Sequence, residues 1–323
     1  VFPVSYRRGT TAHLDVTGRR GEAIVQGIQD QLGIEVLEVK PFGLEGSGGS
    51  TPLRLKVAGD PDRYLFAKLY AQSHLRSDRW YKLGRTIIYG SLEDEVRFVS
   101  VRRLVEYEDY MLLVMAKAGL PSAEPFGIVE LTPEREYLIV TEFFDGSSEI
   151  GEAEITDQVI ENALGIVRRL WDAGLAHRDI KPANLLVRDE EVYIIDTAFG
   201  TIRPSPWRQA VDLANMMIIL GLRVEPDHVY EMATHQFSPD DIAEAFAATK
   251  GITIPSQSQR WLSRKRQEGR DILAEFRALA PDREEIAIQR WSAHRAWLAI
   301  GAIALAAVFG WFVVLNVFGR GIL

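Results

Sequence analysis

The sequence predicts an α+β protein, and three features of its 323 residues lead to that prediction. Runs that alternate apolar and polar residues, as strands do, are concentrated between residues 34 and 144. Apolar residues at helical spacing dominate the later part of the chain, beginning at residue 156. Residues 296–318 carry no formal charge. A helix of that length extends about 34 Å, which is enough for a transmembrane helix.

Composition narrows the class of protein. The chain is 47% hydrophobic and 25% charged, as globular domains are. The net charge of −8 argues against general binding to nucleic acid, which relies on Lys and Arg to neutralise phosphates. Cysteine does not occur in the sequence, so disulfides and thiolate metal sites are excluded. The sequence begins with Val1 rather than Met, so it is either part of a longer protein or has an unusual start.

The first 145 residues are predicted to contain a linker, two helices and several strands. Residues 1–33 hold a polar linker and a short amphipathic helix. A Gly-rich turn at 43–50 lets backbone amides approach a phosphate, although most such turns only join two strands. A long helix starts at residue 101 and stops at Gly119, just before Pro121. The charged segment 71–100 has no assigned role. Strands are expected at 34–39, 53–57, 63–70 and 137–144.

The second half is predicted to be mainly helical. A helix at 156–173 leads to a polar loop, which is followed by two short apolar strands at 185–187 and 192–195. Another helix begins near Gln209, and a capping box starting at Ser238 opens a further one. Residues 256–295 are charged and helical in pattern, and we interpret them as juxtamembrane helices.

One stretch carries most of the chemistry in this sequence. It reads His177-Arg178-Asp179-Ile180-Lys181-Pro182-Ala183-Asn184, and the strand after it ends at Asp196. This stretch resembles the catalytic loop of protein kinases, H-R-D-x-K-P-x-N, and the strand resembles the one that carries their metal-binding Asp. The similarity to the protein-kinase-like superfamily covers about residues 34–250. It implies a bilobal fold with a small β-rich lobe at 34–145, a helical lobe at 146–255, and ATP in the cleft between them.

The resemblance also implies a role for each residue of the loop. Asp179 would orient the acceptor hydroxyl and take its proton, while Lys181 would reach the transferring phosphoryl group. Asn184 and Asp196 would offer the oxygen ligands that Mg²⁺ prefers. An exposed turn with a capping Asp is the structural alternative. That alternative accounts for one carboxylate and not for the whole set.

Further residues are implied to bind the nucleotide. Lys68 resembles the strand lysine that grips the phosphates, and Glu108 is its expected ion-pair partner. We choose Glu108 over Glu106 because, in the RIO-type and other atypical kinases that this region resembles, this Glu lies about three turns before the Gly-x-Pro end of the helix. A solvent-facing lysine and a solvated helix face are the alternatives. The remaining nucleotide-binding residues would be Gly46, Gly48 and Gly49 of the turn and the backbone groups of Glu142 and Phe144.

Asp212 resembles the buried Asp that braces the catalytic loop. The sequence departs from the protein-kinase pattern at two places. Asp196-Thr197-Ala198 stands where the family has Asp-Phe-Gly, which keeps the metal-binding Asp but puts flip-type regulation in doubt. The segment after Asp196 is short and has no Ala-Pro-Glu motif, as in RIO-type, lipopolysaccharide-core and small-molecule kinases.

From this sequence we expect a kinase that uses ATP and Mg²⁺. The acceptor would be a protein Ser/Thr or an envelope lipid or glycan hydroxyl. Two alternatives belong to other classes: an ATP-binding pseudokinase that regulates a membrane partner, and a helper domain of a larger membrane protein.

The expected location is the cytoplasmic membrane. The chain would pass once through it, with residues 1–295 in the cytoplasm, because arginines precede the span more often than they follow it. These arginines are Arg277, Arg283, Arg290 and Arg295 before the span and Arg320 after it. A buried soluble helix is the alternative for 296–318.

Overall fold

The computed structural model describes residues 14–43, 50–59, 61, 63–72, 100–133, 135–251, 253–286 and 293–318. Two features singled out in the sequence lie outside these ranges. They are the glycines Gly46, Gly48 and Gly49 of the predicted nucleotide-covering turn and most of the charged segment 71–100.

A five-stranded antiparallel sheet forms the first part of the structure, with the strand order β1-β2-β3-β5-β4. Alternation along β3 turns Leu65, Ala67 and Leu69 to one face, and Lys68 and Tyr70 to the other. The predicted strands are confirmed, and β4 is additional. The strands are β1 (Val36–Pro41), β2 (Thr51–Val57), β3 (Arg63–Ala71), β4 (Pro125–Thr132) and β5 (Glu136–Glu142).

Two helices cover the two faces of this sheet. The first, α1 (Gly18–Leu32), buries Ile24 and Ile28 against the face that carries Leu65 and Leu69. The second, α2 (Val101–Lys117), packs on the opposite face through residues that include Val105. Both helices occupy the regions predicted for them. Because α2 lies on the face of Lys68, its side chains are among those that this lysine can meet.

Helices make up most of the rest of the structure. They are α3 (Asp157–Asp172), α4 (Pro206–Gly221), α5 (Pro226–Thr234), α6 (Pro239–Ala248), α7 (Ser256–Gln267) and α8 (Ile272–Leu279). The central helix α4 is buried along nearly its whole length. The predicted capping box is present, since Ser238 and Asp241 cap α6 reciprocally. Leu262 and Phe276 join α7 and α8 to the same apolar core as α4.

Short strands frame the polar loop 177–184. In one small sheet, β8 (Leu185–Arg188) lies between β6 (Ser148–Glu149) and β9 (Glu191–Ile194). In another, β7 (Leu175–Ala176) pairs with β10 (Thr201–Ile202). The loop therefore starts after one paired strand, β7, and ends at another, β8. Of these short strands, the apolar runs at 185–187 and 192–195 predicted β8 and β9.

The last helix, α9 (Ala293–Phe318), occupies the region where the sequence predicts a transmembrane helix. Across the part of the chain that the structure describes, no helix combines the length and the apolarity that crossing a membrane requires. The transmembrane prediction for 296–318 is therefore not supported by the structure, and the membrane location stays a prediction.

The fold class is thus α+β, with a small sheet region first and a larger helical region after it. This arrangement is compatible with two lobes. The cleft expected between such lobes would be bordered by β3, α2, and the loop between β7 and β8.

Packing between α4 and α8 leads to a stability prediction. A Cβ atom on Gly221, the last residue of α4, would lie 2.6 Å from Cε2 of the Phe276 ring. We therefore expect Gly221→Ala to lower the free energy of unfolding by about 1–3 kcal/mol. Gly165 within α3 is the matched control, because its nearest neighbour is a Gln236 side-chain atom at 3.6 Å. Gly165→Ala should stabilise the protein by about 0.5–1 kcal/mol through helix propensity.

Chemical denaturation of the two variants measures both effects. If Gly221→Ala stabilises the protein as Gly165→Ala does, the ring of Phe276 does not pack against α4 as described.

Candidate active site

Residues from three separate parts of the chain meet beside the loop 177–184. Lys68 comes from the middle of β3 and Glu108 from the middle of α2. Asp196 lies just beyond β9, directly after Ile195, whose amide donates to the carbonyl of Asn184 at 3.0 Å. This backbone bond joins the segment after β9 to the loop, so that the two predicted metal ligands lie next to the adjoining ends of the paired strands β8 and β9.

Lys68 forms two ion pairs. Its Nζ lies 2.7 Å from Oε1 of Glu108 and 2.7 Å from Oδ1 of Asp196. The Glu108 side chain is only 3% exposed and the Lys68 side chain 14%. The predicted pairing of Lys68 with Glu108 is therefore present, and the lysine also binds the predicted metal-ligating Asp.

Glu106, the rejected partner, faces away from this cluster. It pairs with Arg102 at 2.8 Å and Arg103 at 3.0 Å on the outer side of α2. These contacts follow the three- and four-residue spacing of neighbours on a helix surface. The helix register inferred from the position of Gly119 is thus the one that the structure shows.

The electrostatics of the cluster favour the charged states of Lys68 and Asp196. Burial alone would lower the pKa of Lys68, but the carboxylates of Asp196 and Glu108 outweigh it and raise that pKa well above its usual value. Burial would likewise raise the pKa of Asp196, but the ammonium groups of Lys68 and Lys181 hold it well below its usual range. At neutral pH Lys68 is therefore a cation paired with the anionic Asp196.

The loop itself presents Asp179 as a tightly held carboxylate. Its Oδ2 accepts from Lys181 Nζ at 2.6 Å and from Asn184 Nδ2 at 3.1 Å. Asn184 Nδ2 also donates to the carbonyl of Asp179 at 2.8 Å. Among the described residues none hydrogen-bonds to Oδ1 of Asp179, which leaves this atom for a ligand.

Asn184 and Asp196 fit a hard cation by their chemistry. The amide nitrogen of Asn184 is engaged by Asp179, so its carbonyl oxygen is the atom left to coordinate. Carboxylate and amide oxygens suit Mg²⁺, which takes one or two protein ligands and completes its shell with phosphate and water. Within the described ranges, no group of three or more His, Cys, Asp or Glu side chains could hold a metal ion.

Asp212 of α4 supports the loop from below. Its carboxylate accepts from the backbone amides of His177 at 2.5 Å and Arg178 at 2.9 Å. Arg178 has φ 68°, a left-handed conformation that is unfavourable for a side chain of this kind. His177 is fully buried, and its Nε2 lies 3.1 Å from the carbonyl of Ile195, so this nitrogen is the donor. The predicted brace is therefore present, and it holds a strained backbone.

The short segment after Asp196 packs against α2. Tyr107 of α2 donates its hydroxyl hydrogen to the carbonyl of Gly200 at 2.8 Å. A Cβ atom on Gly200 would lie 2.6 Å from Cε of Met111, so a glycine is needed for this close approach. Thr197, at the Phe position of the kinase pattern, is completely buried, with its hydroxyl 3.5 Å from the carbonyl of Glu108. The small residues Thr197 and Gly200 thus allow this segment to lie directly on α2.

The two residues predicted to meet adenine lie where the chain leaves the sheet, with Glu142 the last residue of β5 and Phe144 two residues beyond it. The amide of Glu142 donates to the carbonyl of Glu124 at 2.8 Å, and its carbonyl accepts from the Thr141 hydroxyl at 3.4 Å. The carbonyl of Phe144 accepts from the amide of Ser147 at 3.3 Å and from its hydroxyl at 2.7 Å. The Phe144 ring packs on Tyr193 with 4.5 Å between ring centroids. Both backbone groups of Glu142 and the carbonyl of Phe144 are therefore engaged within the protein.

Sequence reasoning missed the support that α7 gives to the loop. Gln257 accepts through Oε1 from the amide of Ala183 at 3.2 Å. Four residues further on, the indole of Trp261 lies where a Cβ of Gly151 would be, next to β6. A lone Gln at the start of a charged helix carries no local signal of such a contact. Helix α7 is therefore part of the structure around the site.

In comparisons with known proteins, no family model matches the chain and no curated protein is significantly similar to it.

The ion-pair cluster leads to a comparison of two glutamates on one helix. Glu108→Gln removes a buried charge from Lys68, and we expect it to lower the free energy of unfolding by about 1–3 kcal/mol. Glu106→Gln is the control, because its partners are exposed arginines and such pairs contribute at most about 1 kcal/mol. Denaturant unfolding of both variants measures the difference. A larger loss for Glu106→Gln would mean that the cluster is not formed by Glu108.

The buried brace leads to a pH prediction. Burial raises the pKa of Asp212 from 3.8 to about 7, although the amides of His177 and Arg178 oppose this. Between these values the folded protein keeps a proton that the unfolded chain has lost. The stabilising contribution of this group is thus complete below about pH 4 and is lost as pH rises through 7.

From about pH 4.5 to 8 the parent chain should therefore lose stability relative to Asp212→Asn, by on the order of 2–4 kcal/mol. The asparagine does not titrate, so only the slopes of stability against pH are compared. Parallel curves for the two proteins would contradict the raised pKa.

Proposed function

We propose that this protein is a kinase that transfers the γ-phosphate of ATP to a hydroxyl group. The observation that carries the proposal is the joint position of two sets of residues. Lys68, Glu108 and Asp196 form one buried ion-pair cluster, and Asp196 is joined through Ile195 to the loop that holds Asp179. Lys181 lies close enough to lower the pKa of Asp196. A turn with a capping Asp would not require this convergence of charged groups from separate elements.

Each side chain would have a separate task in the transfer. Oδ1 of Asp179 would accept a hydrogen bond from the acceptor hydroxyl and take its proton as the oxygen attacks the γ-phosphorus. The bond between that phosphorus and the bridging oxygen then breaks, and ADP leaves. Lys181, 2.6 Å from Asp179, would keep the carboxylate oriented and face the phosphoryl group as a point charge.

Lys68 would contact the phosphates of ATP. It stays protonated because two carboxylates surround it, and Glu108 keeps it in place when a phosphate replaces Asp196 as its second partner. Bound Mg²⁺ would neutralise charge on the phosphates, and the carbonyl oxygen of Asn184 and the carboxylate of Asp196 are the groups suited to hold it. The amide of Phe144 would meet the base, and so would the carbonyl of Glu142, which also accepts from the Thr141 hydroxyl at 3.4 Å.

The kind of acceptor follows from the segment between Asp196 and α4. The segment 197–205 is too short to form an extended peptide-binding platform, and its strand β10 pairs with β7. Arg178 adds a bond of 3.0 Å from its Nη1 to the hydroxyl of Thr201. This favours an acceptor that needs no extended platform, such as a lipid or glycan hydroxyl, while a protein Ser or Thr on a flexible segment stays in the proposal.

Substitution of the proposed base tests the function. Asp179→Asn keeps the shape of the side chain but cannot take a proton, so we expect transfer to fall by about 10²–10⁴-fold while ATP still binds. Asp189→Asn is the matched control, since Asp189 is an exposed turn residue with φ 52°, a conformation that Asn tolerates. Transfer from γ-labelled ATP to a membrane extract is measured, with lipids and proteins separated afterwards, and ATP binding is measured by calorimetry.

Equal turnover in the parent chain and Asp179→Asn would overturn the assignment of Asp179. ATP binding without transfer in the parent chain would indicate a regulatory nucleotide-binding protein instead.

A further inference from the structure

Tyr70 lies two residues after Lys68 on β3 and points to the same side of the sheet. Its side chain is 4% exposed, and its hydroxyl donates to Oε2 of Glu108. Lys68 holds the other oxygen, Oε1, at 2.7 Å. Two side chains of β3 thus hydrogen-bond to the two oxygens of the Glu108 carboxylate on α2.

This second bond restricts what Glu108 can do. Both oxygens of a buried carboxylate must have hydrogen-bond partners. Lys68, which also pairs with Asp196, bonds only one oxygen of Glu108. With Oε2 unbonded, the carboxylate would be free to turn about its terminal torsion, which is broad in Glu. The Tyr70 hydroxyl removes that freedom, so that Oε1 keeps facing Lys68.

We propose that Tyr70 is a positioning residue for phosphoryl transfer: it locks the Glu108 carboxylate, and Glu108 in turn holds Lys68 beside Asp196. The catalytic part of this statement rests on the proposed function, whereas the control of Lys68 by Tyr70 does not. A purely structural role is the alternative, because the ring of Tyr70 also packs against Val105 and Leu112 of α2.

The chain offers a matched control for that alternative. Tyr137 lies directly opposite Tyr70 in the pairing of β3 with β5 and belongs to the same apolar cluster. It is 3% exposed, and its hydroxyl donates to Oε1 of Glu130 at 2.7 Å. Glu130 lies on β4 and is not part of the Lys68 cluster. Removing either hydroxyl therefore removes a hydrogen bond made by a buried tyrosine of the same cluster, but only one of the two bonds reaches Glu108.

The first arm of the test does not depend on kinase activity. Tyr70→Phe, Tyr137→Phe and Glu108→Gln are made in the full chain, and folding is checked by their denaturation midpoints. An amine-reactive acylating reagent is added without nucleotide, and labelling of Lys68 is followed by peptide mass spectrometry. We expect Tyr70→Phe to raise the labelling rate about tenfold, the factor expected when one buried hydrogen bond that holds the partner of the lysine is lost. Glu108→Gln should raise it at least as much, and Tyr137→Phe should leave it unchanged.

The second arm measures transfer. We expect kcat/KM for ATP to fall about tenfold in Tyr70→Phe, which corresponds to about 1.4 kcal/mol, and to be unchanged in Tyr137→Phe. In the Glu108→Gln background, Tyr70→Phe should cause no further loss, because the tyrosine acts through that glutamate.

The outcomes separate the two proposals. Equal labelling and equal rates in Tyr70→Phe and Tyr137→Phe would show that Tyr70 is only a packed core residue. The expected labelling with no phosphate transfer by the parent chain would uphold the control of Lys68 by Tyr70 and overturn the kinase assignment. A further loss in the Glu108→Gln background would show that Tyr70 acts by some other route.

Discussion

The site depends on the placement of one lysine between two carboxylates. Taking three charges out of water costs several kcal/mol per ion, and only close contacts with well-directed hydrogen bonds offset this. Lys68 has two such contacts at 2.7 Å, and Glu108 has a second donor in Tyr70. The surrounding structure meets this demand. Alternation on β3 points Lys68 towards α2, and the register of α2 points Glu108 towards Lys68. Asp196, after β9, has a left-handed backbone conformation with φ 65°, which turns its side chain towards the lysine.

Two strained backbone positions lie where the chemistry is proposed. Non-glycine residues with positive φ, such as Arg178 and Asp196, cost about 1–3 kcal/mol each and persist only when their surroundings fix them. Asp212 fixes the first by accepting the amide of Arg178 at 2.9 Å, and the ion pair with Lys68 fixes the second. A buried helix such as α4 is a rigid support for this purpose. Packing in the helical region therefore stabilises a loop that would not adopt its conformation alone.

The sequence predicts local features well and long-range support poorly. The strand that carries Lys68 and the capping box at Ser238 depend on spacing within a few residues, whereas the choice of Glu108 comes from the resemblance to atypical kinases. The structure contains the strand, the capping box and the pair of Lys68 with Glu108. Strand β4 escaped prediction because irregular pairing near Gly127, with φ 139°, breaks its alternation. The contact of Gln257 with the loop joins positions 74 residues apart, and no local pattern encodes it.

Charge balance explains why a cation belongs in the proposed reaction. Among the five ionic groups of the site, Lys68 and Lys181 supply two positive charges, while Glu108, Asp179 and Asp196 supply three negative ones. A triphosphate entering this arrangement adds several more negative charges, and like charges at contact distance repel strongly where water is excluded. Lys68 cannot offset them alone, because its single positive charge is already shared between Glu108 and Asp196. A divalent ion beside Asp196 would supply the missing positive charge. The oxygen donors of Asn184 and Asp196 are therefore suited to the metal that the proposed phosphoryl transfer needs.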